Sequence, residues 1–214
     1  MKKIILLMTF LIIITMNTGC LISKGKRRDA EEHFSSLSDL YPTKNVEDLF
    51  EKYPKGGTLN HSYSIMEGND DNIYYYSFKV DSINKTIIGY EKKVIYKNQK
   101  FEDLYKVPVE YKNGEIIYLE NPELENHKIT FLFENLSYAE MIRYKFIRSS
   151  YGYDSGIYTL LYELPIEVAE KYMNIKEGCE PTIYMISYGD NYPEVELGNH
   201  KCEKTISETF KIGE

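Results

Sequence analysis

Hydrophobic positions along this chain fall into three regimes. A continuous apolar run opens it, a helical period follows as far as Tyr53, and alternation dominates the rest. In the second regime Ala30, Phe34, Leu37 and Leu40 recur at helical spacing, one apolar stripe along a helix. Asp29, with Glu32 three residues on, predicts the N-cap and capping box of that helix, and Pro42 ends it. Asn45 opens a second, shorter helix with Val46, Leu49, Phe50 and Tyr53 on its apolar side, closed by Pro54 and Gly56-Gly57. From Thr58 the period changes to two. Strands are predicted over 59–67, 73–80, 86–96, 104–111 and 115–119, with short polar connectors between them. Asn113-Gly114, inside YKNGEIIY, is the strongest hairpin signal, because both residues readily take positive φ. Connections this short join antiparallel neighbours, since parallel strands need a crossover of a dozen or more residues. The middle of the chain is therefore a meander.

Further on, Asn121-Pro122-Glu123 predicts one or two helical turns before Ile129. A strand is expected over 129–134, residues 136–150 are ambiguous, and Ser149 to Gly152 marks a loop. Gly156 to Leu164 reads as a strand and Pro165 to Asn174 as a helix. Residues 182–188, with a segment near 200–207, complete a final strand pair. The fold class is α+β: a mostly antiparallel sheet, with N-terminal helices and one later helix packed on it. The 21 tyrosines, without a single tryptophan, suit a β-rich body more readily than a tyrosine-lined binding surface.

The opening run, MKKIILLMTFLIIITMNTGC, has the order of an export signal: Lys2 and Lys3, an apolar core, then small residues. About 13 apolar residues make a helix of roughly 20 Å, too short to span a bilayer core of about 30 Å. Its end, Asn17-Thr18-Gly19-Cys20, resembles the lipobox of bacterial lipoproteins, in which the cysteine is lipidated and becomes the first mature residue. Asn17 departs from the usual aliphatic residue there. The alternatives are ordinary secretion and an uncleaved anchor. The organisation expected is a signal peptide over 1–19, a lipidated cysteine and basic tether over 20–28, and a single domain over 29–214. The tether's cations, Lys24, Lys26, Arg27 and Arg28, suit either anionic headgroups or plain solvation. Without Lys2 and Lys3 the chain keeps 24 cations against 33 anions, a net charge of −9 that disfavours nucleic acid as a partner.

With Cys20 assigned to lipid, Cys179 and Cys202 remain as an even pair in an exported protein, where disulfides persist. A hairpin turn centred on Asp190 and Asn191 makes opposed residue numbers sum to 381, as do 179 and 202. Cys179 and Cys202 are therefore a candidate disulfide, weakened by Pro193, Gly198 and the acidic run 194–196, which would widen the loop.

Other chemistry is thin. Gly152-Tyr153-Asp154-Ser155-Gly156 lacks the one-residue flanks of a nucleophile elbow and reads as a turn. The histidines His33, His61, His127 and His200 stand singly. His200 with Cys202 and Cys179 is the only drawable metal cluster, and it lacks a fourth ligand. The acidic stretch 67–72 lacks the alternating ligands of a calcium loop. No catalytic residue, metal or cofactor is expected.

AEEHFSSLSDLYPTKNVEDLFEKYPKGG, at 30–57, resembles the N-terminal signature of the staphylococcal tandem lipoproteins, or lipoprotein-like proteins. INKTIIGY at 83–90 and YKVPVEYKNGEIIYLE at 105–120 are similar to later strands of that family. Departures are a shortened stretch after Gly57, Asn17, and the Cys179/Cys202 pair. The resemblance implies a non-enzymatic protein anchored by lipid on Cys20 at the extracytoplasmic face of the cell membrane of a Gram-positive bacterium. It further implies host interaction: innate sensing of the lipid, and promotion of entry into host cells by the protein part. Alternatives are an extracytoplasmic binding module for a small ligand or cell-wall polymer, and an undetected cell-wall enzyme. A pocket with converging polar groups would favour the module, and a perturbed carboxylate in a cleft the enzyme.

Overall fold

A computed structural model describes residues 27–213 apart from 68, 69, 122, 153, 174, 176, 189–192 and 200. The expected signal segment, Cys20, most of the expected tether and His200 lie outside the described residues. Eleven strands form one antiparallel sheet: β1 (Gly57–Glu67), β2 (Asp70–Asp81), β3 (Thr86–Lys97), β4 (Lys100–Lys112), β5 (Glu115–Tyr118), β6 (His127–Lys128), β7 (Lys145–Gly152), β8 (Ile157–Glu163), β9 (Thr182–Tyr188), β10 (Glu194–Leu197) and β11 (Lys204–Ile212). Their order is β6-β5-β4-β3-β2-β1-β11-β10-β9-β8-β7. The chain thus meanders outward from the centre to β6, crosses the sheet over residues 129–144, and meanders inward from β7. The pairing of β1 with β11, Leu59 opposite Phe210 and His61 opposite Glu208, closes the middle.

The first five strands follow the alternation read from the sequence, within a few residues at their ends. Asn113 and Gly114 both take positive φ, 53° and 84°, the geometry a two-residue hairpin loop needs to match strand twist. Register then puts one set of side chains on one face: Leu59, Phe78, Val109, Met185 and Phe210 are buried there. The stripe of Ala30, Phe34, Leu37 and Leu40 covers this face and is buried throughout. It is carried by helical backbone over 27–33, a 3₁₀ turn at Phe34–Ser36 and an α-turn at Leu37–Leu40. Val46 and Leu49, in the short helical run from Val46 to Lys52, add to the same layer.

Several expectations are corrected. The helix is already running at Arg27, so Asp29 is not its N-cap. Arg27 belongs to the fold instead of a loose tether. Its Nε donates to Glu31 Oε1 at 2.8 Å, its Nη2 donates to the Ile142 carbonyl at 3.0 Å, and the guanidinium stands 4.8 Å from the Phe146 ring centre. Bends and a turn replace the helix expected after Asn121 among the described residues. The predicted strand over 129–134 is instead a helical turn, Leu132–Asn135, because Phe131, Leu132 and Phe133 all become core residues only if the backbone coils. Ser149 to Gly152 is the end of β7, not a loop. The helix expected from Pro165 to Asn174 shrinks to Ile166–Ala169, followed by turns. The later helical element is therefore three short pieces, the third being Tyr138–Met141. The final strand pair gains a member: Val195 and Leu197 point into the core, so the acidic run forms β10 between β9 and β11.

The β2–β6 arm curls over the covered face. His127 Nε2 lies 3.1 Å from the Tyr76 hydroxyl, although β6 and β2 are four strands apart in the sheet. At about 4.8 Å per strand a flat sheet would hold them roughly 19 Å apart.

Candidate functional site

One cross-strand row of the covered face carries Glu208, His61, Tyr76 and Glu91 on β11, β1, β2 and β3, each opposite the next. All four are buried. Burying carboxylates costs several kcal/mol unless donors replace water, so their partners define what the row does. Glu208, fully buried, has Oε1 accepting from the Tyr41 hydroxyl (2.9 Å) and the Phe133 N–H (3.1 Å). Its Oε2 accepts from the Leu132 N–H (2.8 Å) and lies 3.2 Å from His61 Nδ1. This clasp ties the crossover and the Tyr41 linker to the sheet centre. The backbone repeats the tie, with the Thr43 N–H donating to the Phe133 carbonyl at 2.8 Å.

Glu91 is held differently. The Tyr105 and Tyr118 hydroxyls each donate to one of its oxygens at 2.5 Å, and His127 bridges from Tyr118 (3.4 Å) to Tyr76. Burial first, and then bonding to Glu91, holds the Tyr105 and Tyr118 hydroxyls well above the usual phenol range, so they stay donors. The next row adds Tyr63 and Tyr74, stacked with ring centres 4.7 Å apart. Lys204 lies 4.9 Å from the centre of the Tyr63 ring, and Lys93 lies 4.9 Å from that of Tyr74. Tyr63, Tyr74, Tyr76, Tyr105 and Tyr118 therefore line the inside of the curled arm, with the hydroxyls of Tyr76, Tyr105 and Tyr118 bonded. Composition alone could not separate that from a plain β surface.

Among the described residues the opposite face carries no helical layer. Register places Met66, Tyr75, Ile88, Tyr96 and Phe101 on it, all exposed, Phe101 at 68 %. Between them its centre is polar, with Ser64 Oγ 2.8 Å from Thr205 Oγ1 and Asn60 Nδ2 donating to Thr209 Oγ1.

The residues singled out from sequence scatter. Cys179 and Cys202 are joined, with Cα atoms 4.8 Å apart, but not as opposed residues of a ladder. The β9–β10 ladder ends at Leu197 opposite Ile183, and the two cysteines sit in the connections leading into β9 and β11. Joined thiols are not metal ligands, and among the described residues no group of three or more His, Cys, Asp or Glu converges on one point. Ser155 lies in the β7–β8 turn with its hydroxyl on the Gly152 carbonyl at 3.4 Å. His33 stacks on Tyr158 and bonds Ser187 Oγ. In the acidic stretch, Asp70 pairs with Lys97 at 2.8 Å. Among the described residues no helix is long and apolar enough to cross a membrane.

No protein-family model matches the chain. Individual relatives do. An uncharacterized lipoprotein of a bovine Staphylococcus aureus strain is 25% identical over 228 residues, covering 92% of this chain and 88% of its own length. A second Staphylococcus aureus lipoprotein is 23% identical with 92% and 86% coverage, and one from Staphylococcus epidermidis is 27% identical with 76% and 72% coverage. The chain is thus similar, over most of its length, to staphylococcal lipoproteins. Identity this low over such length fits the architecture: alternation and turns keep a sheet while most surface residues change. The buried Glu208–Glu91 row was invisible in sequence, because its members lie up to 147 positions apart.

Proposed function

We propose that the protein is a non-enzymatic contact protein, held by lipid on Cys20 at the extracytoplasmic face of the membrane, that acts in host interaction through the open face of its sheet. The observation that carries this reading is the uncovered face itself. Among the described residues an eleven-stranded sheet bears its helical layer on one side only, while Met66, Tyr75, Tyr96 and Phe101 stand exposed on the other. Exposed aromatic and apolar groups gathered on one surface are a mark of interaction sites. Membrane attachment is supported by the relatives, which are called lipoproteins, and by the signal ending in Cys20. A non-enzymatic role is supported by the buried carboxylates. Both oxygens of Glu208 and of Glu91 are engaged by protein groups in a tie between elements, away from solvent.

The test is binding of the lipidated protein, displayed on vesicles, to cultured host epithelial cells. Wild type should bind saturably above bare vesicles, and a Tyr75→Ser, Tyr96→Ser, Phe101→Ser variant that melts normally should lose most of that binding. Equal binding by the variant, or none by the wild type, would overturn the proposal.

A further inference from the structure

Beside the Glu208–Glu91 row, a cavity of about 280 Å³ opens on the covered side of the sheet. It lies between β1, β11, the His127–Thr130 segment and the turn that carries Lys171 and Tyr172. Its apolar surface comes from Tyr63, Ile65, Ile129 and Ile206, and its charge from Lys128, Lys171 and Lys204. Among the described residues no carboxylate lines it, although the chain as a whole carries a net charge of −7.

Lys204 is the informative residue. Its Nζ donates to the Tyr172 carbonyl at 3.0 Å and stands 4.9 Å from the Tyr63 ring centre. Neither neighbour carries a full negative charge. The two buried carboxylates among the described residues are committed, Glu208 to the crossover clasp and Glu91 to two tyrosine hydroxyls. Burial pushes the Lys204 ammonium below the usual lysine range, a cost that an anion in the cavity would offset. The walls also offer contact to an apolar body, because three isoleucines and two tyrosines line the space beside His61, His127 and Thr130. For scale, an apolar cavity of about 150 Å³ accepts benzene, so this one has room for a ring and an acid group.

We propose that this cavity binds a small organic anion, a carboxylate or phosphate monoester with a compact aromatic or branched apolar body. Lys204 and Lys171 hold the acid group, and Tyr63 with Ile206 takes the body. The site is on the opposite face from the proposed host-contact surface and does not depend on that reading.

The test is calorimetric titration of the full chain in detergent, against a matched micelle blank, with phenyl phosphate, benzoate, benzyl alcohol and inorganic phosphate. Phenyl phosphate or benzoate should saturate at one per chain with a Kd below about 1 mM. Benzyl alcohol, lacking charge, and inorganic phosphate, lacking a body, should bind at least about tenfold more weakly. Lys204→Met should weaken the anion about tenfold or more and Lys171→Gln several-fold, while Lys79→Gln on the open face leaves it unchanged. If Lys204→Met proves unstable by melting, Lys171→Gln decides. Equal binding of benzyl alcohol or inorganic phosphate, no effect of either cavity lysine, or no saturation by either organic anion would overturn the assignment.

Discussion

Glu208→Gln changes one atom of a side chain that is fully buried, and the structure fixes what that change costs. Each carboxylate oxygen of Glu208 accepts from a backbone N–H: Oε1 from Phe133 at 3.1 Å, Oε2 from Leu132 at 2.8 Å. A glutamine offers one acceptor oxygen and one NH₂, so in either flip the NH₂ meets one of those N–H groups head-on. The Tyr41 hydroxyl can rotate and His61 can change tautomer, but Leu132 and Phe133 are held at the start of a helical turn. One buried N–H is therefore left without an acceptor, at about 1–3 kcal/mol, and the remaining bonds lose the strengthening a charged acceptor gives. The sum is about 3–5 kcal/mol, a large share of the roughly 5–15 kcal/mol that holds a typical domain. With a urea m-value of roughly 2 kcal/mol per M, the midpoint should fall by about 2 M, followed by far-UV circular dichroism. Amide exchange at Leu132 and Phe133 should quicken before the sheet amides do. Thr209→Val, one residue away on the open face, is the control and should change stability by no more than about 0.5 kcal/mol. A Glu208→Gln loss below about 1 kcal/mol would mean that the clasp is not what holds the crossover.

Other expectations follow from the same packing. Phe34→Asp places an unpaired charge in the fully buried helical stripe and should lower the melting temperature by at least about 10 °C; melting at the wild-type temperature would refute the stripe's role. Burial first, and then Glu194, raises the Glu196 carboxyl, so its ionisation opposes folding at neutral pH. Glu196→Gln should stabilise at pH 7, and the gain should fade as pH drops through the raised value to below the ordinary carboxylate range, where both states are protonated; denaturation at several pH values reads this. Replacing Cys179 and Cys202 by serine opens a cross-link between residues 23 positions apart and should cost about 3 kcal/mol, while mass spectrometry of the non-reduced wild type should find one linked peptide pair and no free thiols. Cys20→Ala should release the protein into the medium or leave an uncleaved precursor, and unchanged membrane partitioning with normal processing would contradict lipidation there.

Local pattern alone determined the helical stripe and the first five strands. Phe34, Leu37 and Leu40 share a face because helical spacing repeats every 3.6 residues, and β1 to β5 alternate because one side of each meets the core. Asn113-Gly114 set its own turn for the same reason: the two residues tolerate the positive φ that the hairpin imposes. Where local pattern was weak, tertiary structure decided. Residues 131–133 are apolar without a break, a run that suits a strand or a helical turn equally. Glu208 resolves it as a turn, by accepting the N–H groups of Leu132 and Phe133 from 76 and 75 positions away. Glu194 to Leu197 read as an acidic loop until β9 and β11 offered edges for it to pair with. Cys179 and Cys202 were matched through a hairpin register, but they meet through the connections that lead into β9 and β11. The curl of the β2–β6 arm, which brings Glu91, Tyr105, Tyr118 and His127 into one hydrogen-bonded cluster, has no local signature at all. Hydrogen-bond partners in a buried row are chosen by three-dimensional proximity, and a periodic sequence records only which face a residue occupies, not what will stand across from it.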